Sequence, residues 1–177
     1  MNIIRMTFLT LLLLPLSGWS TDLNLFVIQR SKNTNEVQYQ LHVNDDCQIV
    51  SDTPVGAFWH LREVSPETTA PLTDLEQMVY GVANQQVTEN RVSFDLGVLD
   101  HFRPLEPRRI TAAVRYDPQT ATCTPSVQTT IQGQVAALER IYVQADERLV
   151  RPKVRHIDVF GKSLASRPTQ VVERVAP

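Results

Sequence analysis

The stretch from Leu25 to Val43, LFVIQRSKNTNEVQYQLHV, constrains the fold of this chain more than any other. Leu25 to Arg30 is an apolar run with β-branched residues, and Ser31 to Asn35 is polar. Val37, Tyr39, Leu41 and Val43 then alternate strictly with Gln38, Gln40 and His42. A period of two sends successive side chains to opposite faces of a strand, so one face here is apolar and the other polar. Two such runs joined by a five-residue polar connection predict a β-hairpin. Its apolar face, Val37 to Val43, is the expected first wall of a core.

The rest of the chain repeats this signal. Val55 to Val64 predicts a strand with Val55, Ala57, Trp59 and Leu61 on one face and Gly56, Phe58, His60 and Arg62 on the other. Further strands are expected at Arg91 to Leu96, Ile110 to Tyr116, around Val127 to Ile131, at Val135 to Ala145, at Val154 to Phe160 and at Thr169 to Val175. Pro66 to Pro71 and Asp100 to Arg108 read as loops. One helix interrupts the series. Thr73 and Glu76 have capping-box spacing, Leu75, Met78, Val79 and Val82 follow at helical spacing, and Gly81 is the expected left-handed end. Nine short strands and one short helix predict an all-β domain, an antiparallel curved sheet closing into a barrel or a sandwich. The helix is expected to cover a barrel mouth or one face of the sheet.

Residues 1–20 read as a signal peptide. Arg5 is a lone positive charge, Phe8 to Leu16 is an apolar run, and Gly18 and Ser20 are small. The run is shorter than the roughly 20 residues that span a bilayer, the alternative being an uncleaved anchor. The expected mature chain, 21–177, is one β-rich domain, periplasmic or secreted, with no membrane span left after cleavage. Without Arg5 it carries 16 basic residues against 19 acidic, so charge gives no reason to bind nucleic acid. Both cysteines, Cys47 and Cys123, lie in the exported part, where a disulfide is the default and two buried thiols the alternative.

Chemistry-bearing motifs are sparse. The chain contains no G-x-S-x-G, H-E-x-x-H or S-x-x-K, and its six glycines do not cluster into a phosphate loop. No cofactor is implied. His156 and Asp158 share a strand face, so with His42 or His60 they would make a metal site if the fold brought them together. The Arg30 to Asn35 turn offers an arginine fork and the amides of Asn33 and Asn35, suited to a carboxylate, a sugar or a partner's backbone. The same asparagines also suit a purely structural turn. Tyr39, Trp59 and Tyr80 sit among apolar neighbours and read as core, or as the lining of a ligand cavity if the sheet closes.

The order of these pieces resembles a bacterial exported family catalogued as domain of unknown function 4833. The residues that carry the likeness are Ile28, Gln29, Arg30, Asn33, Asn35, Val37 and Tyr39, then Pro54, Val55 and Trp59, then Leu72, Tyr80 and Gly81. LERIYV, DVFGK and VVERVAP extend it over most of the mature chain, with Val79 where the pattern has Ala. The resemblance implies an exported domain without assigned chemistry. Three functions follow as expectations. The first is non-enzymatic binding of a small ligand or an envelope partner. The second is a metal-assisted or acid-base hydrolase built on the strand histidines. The third is a structural envelope component held by its disulfide.

Overall fold

The computed structural model describes residues 20–65, 67–96, 109–146 and 153–176. They form β1 (Ser20–Arg30), β2 (Asn33–Asn44), β3 (Val55–His60), β4 (Thr69–Pro71), α1 (Asp74–Tyr80), β5 (Val82–Thr88), β6 (Arg91–Leu96), β7 (Ile110–Asp117), β8 (Thr122–Ile131), β9 (Gln134–Asp146), β10 (Lys153–Ser163) and β11 (Gln170–Val175). The opening hairpin is present, and Val37, Tyr39, Leu41 and Val43 are buried as the alternation requires. Its turn is tighter than five residues: Arg30 pairs with Asn33, which leaves only Ser31 and Lys32 between the strands. Lys32 takes a φ of 59° to make that reversal.

All eleven strands belong to one sheet, in the order β4-β3-β2-β1-β9-β8-β7-β6-β5, with β10 and β11 branching from β9. β9 is the hub. One of its edges pairs first with β8, through Gln134 to Ala137, and then in parallel with β1, through Arg140 to Val143. Its other edge pairs with β10 along almost its whole length. Since β1 and β8 share one edge, they must part where they meet. A cleft of about 330 Å³, lined in part by Leu25, Val127, Leu138 and Leu164, marks that parting.

Among the described residues the sheet does not close into a barrel, and it has eleven strands where nine are expected from the sequence. The two extra strands are β4, inside a segment that reads as a loop, and β5, directly after the helix. At the open end β3 comes near β5 without a ladder. A register shift between Ala83 and Gln86, with Asn84 at a φ of 51°, breaks the run of β5. The Gln85 side chain fills the gap: Nε2 donates to the Val55 carbonyl at 3.0 Å, and Oε1 accepts from the Val55 N–H at 2.9 Å.

Cys47 and Cys123 are bonded to each other, with Cα atoms 5.4 Å apart and a sequence separation of 76. The bridge ties the loop after β2 to the start of β8. Closing a loop of that length contributes about 4 kcal/mol in the chain-entropy account. Cys47 has a φ of 59°, in a turn that the Asn44 side chain holds by accepting from the N–H groups of Asp46 and Gln48.

The helix starts as expected, with both bonds of the Thr73–Glu76 capping box formed. Its end differs. Gly81 is extended (φ −64°, ψ 161°), not left-handed, and a Cβ there would lie 2.1 Å from the Gln77 carbonyl oxygen. Glycine is needed for close approach, not for a positive φ. Leu75 and Met78 are exposed, while Val79 and Val82 pack partly buried against the core and Tyr80 is buried in it.

Candidate functional site: the outer face of the sheet

The alternation in β2 that buries Tyr39 also sends Glu36, Gln38, Gln40 and His42 to the opposite face. Register then aligns their neighbours. One row runs His60, Glu36, Gln29, Tyr142, Asp158 and Arg174 across six strands. The adjacent row runs Phe58, Gln38, Val27, Arg140, Phe160 and Val172. Aromatic rings, amides and charges therefore share one face.

The first row carries a polar cluster at each end. Glu36 is only 3% exposed. Its Oε1 accepts from Gln29 Nε2 at 2.6 Å. Its Oε2 lies 2.8 Å from Arg62 Nη2 but accepts no aligned hydrogen bond, so that contact is Coulombic. Gln29 extends this cluster by accepting from Arg140 Nη1 at 3.1 Å. At the far end Asp158 accepts from Arg174 Nε at 2.7 Å and Nη2 at 2.9 Å. Those two bonds hold the Asp158 carboxyl below its ordinary pKa, against the opposing effect of burial.

Beside these rows, a groove of about 240 Å³ is lined by Asn24, Gln38, Gln40, Phe58, His60, Glu67 and Thr69. Gln40 Nε2 donates to Asn24 Oδ1 at 2.9 Å, which orients both amides. The lining offers donors and acceptors around one aromatic ring, and neither lysine nor arginine.

The candidate residues named from sequence are distributed differently. At the hairpin turn, Asn33 Oδ1 accepts from the Asn35 N–H at 2.9 Å, and Asn35 Oδ1 accepts from the Glu63 N–H at 3.2 Å. Both asparagine carbonyls thus shape the chain. Ser31, next to Arg30, is buried and exchanges bonds with Ala145: its Oγ donates to the carbonyl at 3.1 Å and accepts from the N–H at 3.0 Å. The turn is docked on β9, and Arg30 itself lies near enough to Glu76 to stabilise that carboxylate.

Tyr39, Trp59 and Tyr80 do come together, but inside the core. Tyr39 is fully buried, stacks on Phe26 with ring centres 4.4 Å apart, and donates its hydroxyl to the Tyr80 carbonyl at 2.6 Å. Trp59 meets the Tyr80 ring edge-on at 6.0 Å. Burial raises the Tyr39 hydroxyl well above its ordinary pKa, so it remains a donor. These rings fasten α1 to the sheet instead of lining a cavity.

The metal candidates are split between separate partners. His42 Nδ1 meets Asp22 Oδ1 at 2.5 Å, and its ring occupies room that Gly56 leaves: a Cβ there would lie 3.1 Å from Nε2. His60 lines the groove. His156 Nε2 lies 3.5 Å from Asp158 Oδ2, whose oxygens are already held by Arg174. Among the described residues, no three His, Cys, Asp or Glu side chains are grouped to hold a metal ion.

A family model described as Domain of unknown function (DUF4833) matches residues 26–174. The chain belongs to this family. The match spans the hairpin, the groove and both rows of the outer face, so this DUF4833 domain includes all of the candidate site but Asn24. No curated protein and no solved structure matches the chain.

The sequence did not mark Asn24, Gln38, Gln40, Phe58, Glu67, Thr69 or Arg140 as site residues. A partial signal was there: the period of two already put Gln38 and Gln40 on the face away from Tyr39, and Phe58 on the face away from Trp59. What joins them is strand register, which no single segment specifies.

Proposed function

We propose that this DUF4833 domain is an exported, non-enzymatic binding domain that holds a small hydroxylated ligand, of the saccharide class, in the groove on the outer face of β1, β2 and β3. The observation that carries this reading is the groove lining: amides of Asn24, Gln38 and Gln40 and the Thr69 hydroxyl around the Phe58 ring. Amides pair with hydroxyls through both their donor and acceptor atoms, and an aromatic face accepts the apolar side of a ring. A few convergent polar groups beside an apolar surface are the usual anatomy of a ligand site. Export is supported by the leader-like residues 1–20 and by the Cys47–Cys123 disulfide, a bond typical of oxidising compartments.

The hydrolase reading has less support, because His42 pairs with Asp22, His156 with Asp158, and His60 lines the groove. The binding reading is tested by retention of the disulfide-bonded chain on immobilised oligosaccharides of defined composition. Retention on at least one, lost in Phe58→Ala and in Gln40→Ala while their melting temperatures hold, supports it. Passage through every column unretarded contradicts it.

A further inference from the structure

Three strands beyond Phe58 on the same row stands Arg140, beside Phe160. Its guanidinium carbon lies 3.7 Å over the Phe160 ring centre, and Nη1 donates to Gln29 Oε1 at 3.1 Å. Stacking and the hydrogen bond fix the plane of the fork, so little rotamer freedom remains to be lost on binding.

The carboxylates near Arg140 already have cations. Asp158 takes both arms of Arg174. Glu139 takes Lys162 at 2.6 Å, and Glu36 faces Arg62 at 2.8 Å. The group between Arg140 and Glu36 is Gln29, a neutral amide. Among the described residues, Arg140 therefore makes no ion pair, although it is partly buried. Asp158 and Glu139 feel its charge at longer range, but no carboxylate among the described residues touches its remaining donors, and a planar carboxylate would match them in pairs.

We infer that Arg140 is the docking point for a carboxylate on the ligand of this face, and that the ligand is an acidic saccharide, a uronate oligomer. This deepens the groove reading and rests on it for the saccharide part. Four strand spacings of about 4.8 Å put Phe58 and Phe160 about 19 Å apart, so the ligand is a short linear chain lying across the strands, with its acid group above Arg140.

The test titrates the disulfide-bonded chain with three probes: trigalacturonate, neutral galactotriose and sodium acetate. Calorimetry gives affinities, and amide chemical shifts give location. Trigalacturonate is expected to bind at least about tenfold more tightly than galactotriose, the scale of charge-assisted hydrogen bonds, with the advantage shrinking as salt rises. Arg140→Gln is expected to erase the advantage, and Arg140→Lys to restore only part of it, since an ammonium lacks the fork. The comparison of probes on the unaltered chain needs no variant to fold. Equal affinity for the two trisaccharides, both weakened by Phe58→Ala, would overturn the carboxylate docking and leave the groove reading standing. Acetate and trigalacturonate shifting Gln29 and Arg140 alike, with Phe58→Ala without effect, would support the docking point and sink the groove. If no probe moves the resonances of Gln29, Arg140 or Phe160, the inference is wrong.

Discussion

Gln85 pairs with Val55 as a neighbouring strand would, giving its amide N–H to the carbonyl and its amide oxygen to the N–H. A side chain thus stands in for a missing ladder between β3 and β5. Gln85→Ala leaves both backbone groups of Val55 unpaired in a partly buried place. The expected loss is about 1–3 kcal/mol in urea unfolding. Gln85→Glu should lose nearly as much at neutral pH, because a carboxylate accepts but cannot donate to the Val55 carbonyl.

The bond from the Tyr39 hydroxyl to the Tyr80 carbonyl joins the hairpin to the end of α1. Tyr39→Phe keeps the stack on Phe26 and removes only that donor, at an expected cost of about 1–3 kcal/mol. Tyr39→Ala also opens a cavity and should cost about 3–5 kcal/mol. A phenylalanine variant as stable as the parent would show that the bond does not anchor the helix.

Removing the disulfide by Cys47→Ser with Cys123→Ser should lower stability by up to about 4 kcal/mol, the chain-entropy value for its loop. The folded sheet should persist, since the β1–β2, β1–β9 and β8–β9 ladders connect β2 to β8 without the bridge. Circular dichroism with thermal unfolding separates the two outcomes.

Asp158 gives a pH dependence with a definite sign. Arg174 lowers its folded-state pKa below the ordinary 3.8, so the unfolded chain takes up a proton first as acid is added. The stabilisation is complete above about pH 5 and is lost as pH falls through 3.8 and then through the lower folded value. Glu139, held down by its hydrogen bonds from Lys162 and Gln170, acts in the same direction. In Asp158→Asn the acid decline of the melting temperature should be shallower, and the variant should be less stable than the parent at neutral pH.

Much of this fold is legible from local pattern. Strict alternation from Val37 to Val43 specifies a one-sided strand, and the Thr73–Glu76 spacing specifies the helix start, because both depend on residues a few positions apart. β4 and β5 are not legible. Thr69–Pro71 is three residues long, and a bulge at Asn84 breaks the alternation of Val82–Thr88. Barrel closure is likewise a property of distant edges: it fails where Gln85 replaces a strand. Leu75 and Met78 mislead because their spacing is helical while the docking contacts are made by Val79 and Tyr80, at the last turn. The site is the least legible part. Phe58, Gln38, Val27 and Arg140 come from four separate segments and become neighbours only through register.

The groove beside Phe58 is the central claim, and amide chemical-shift mapping tests it most directly. The disulfide-bonded chain is titrated with the oligosaccharide it retains best in the immobilised series. The account predicts shifts clustered at Asn24, Gln38, Gln40, Phe58 and Thr69, and their disappearance in Phe58→Ala. Shifts confined to the cleft between β1 and β8, or to the Ser31–Lys32 turn, would contradict it, as would a spectrum that does not change.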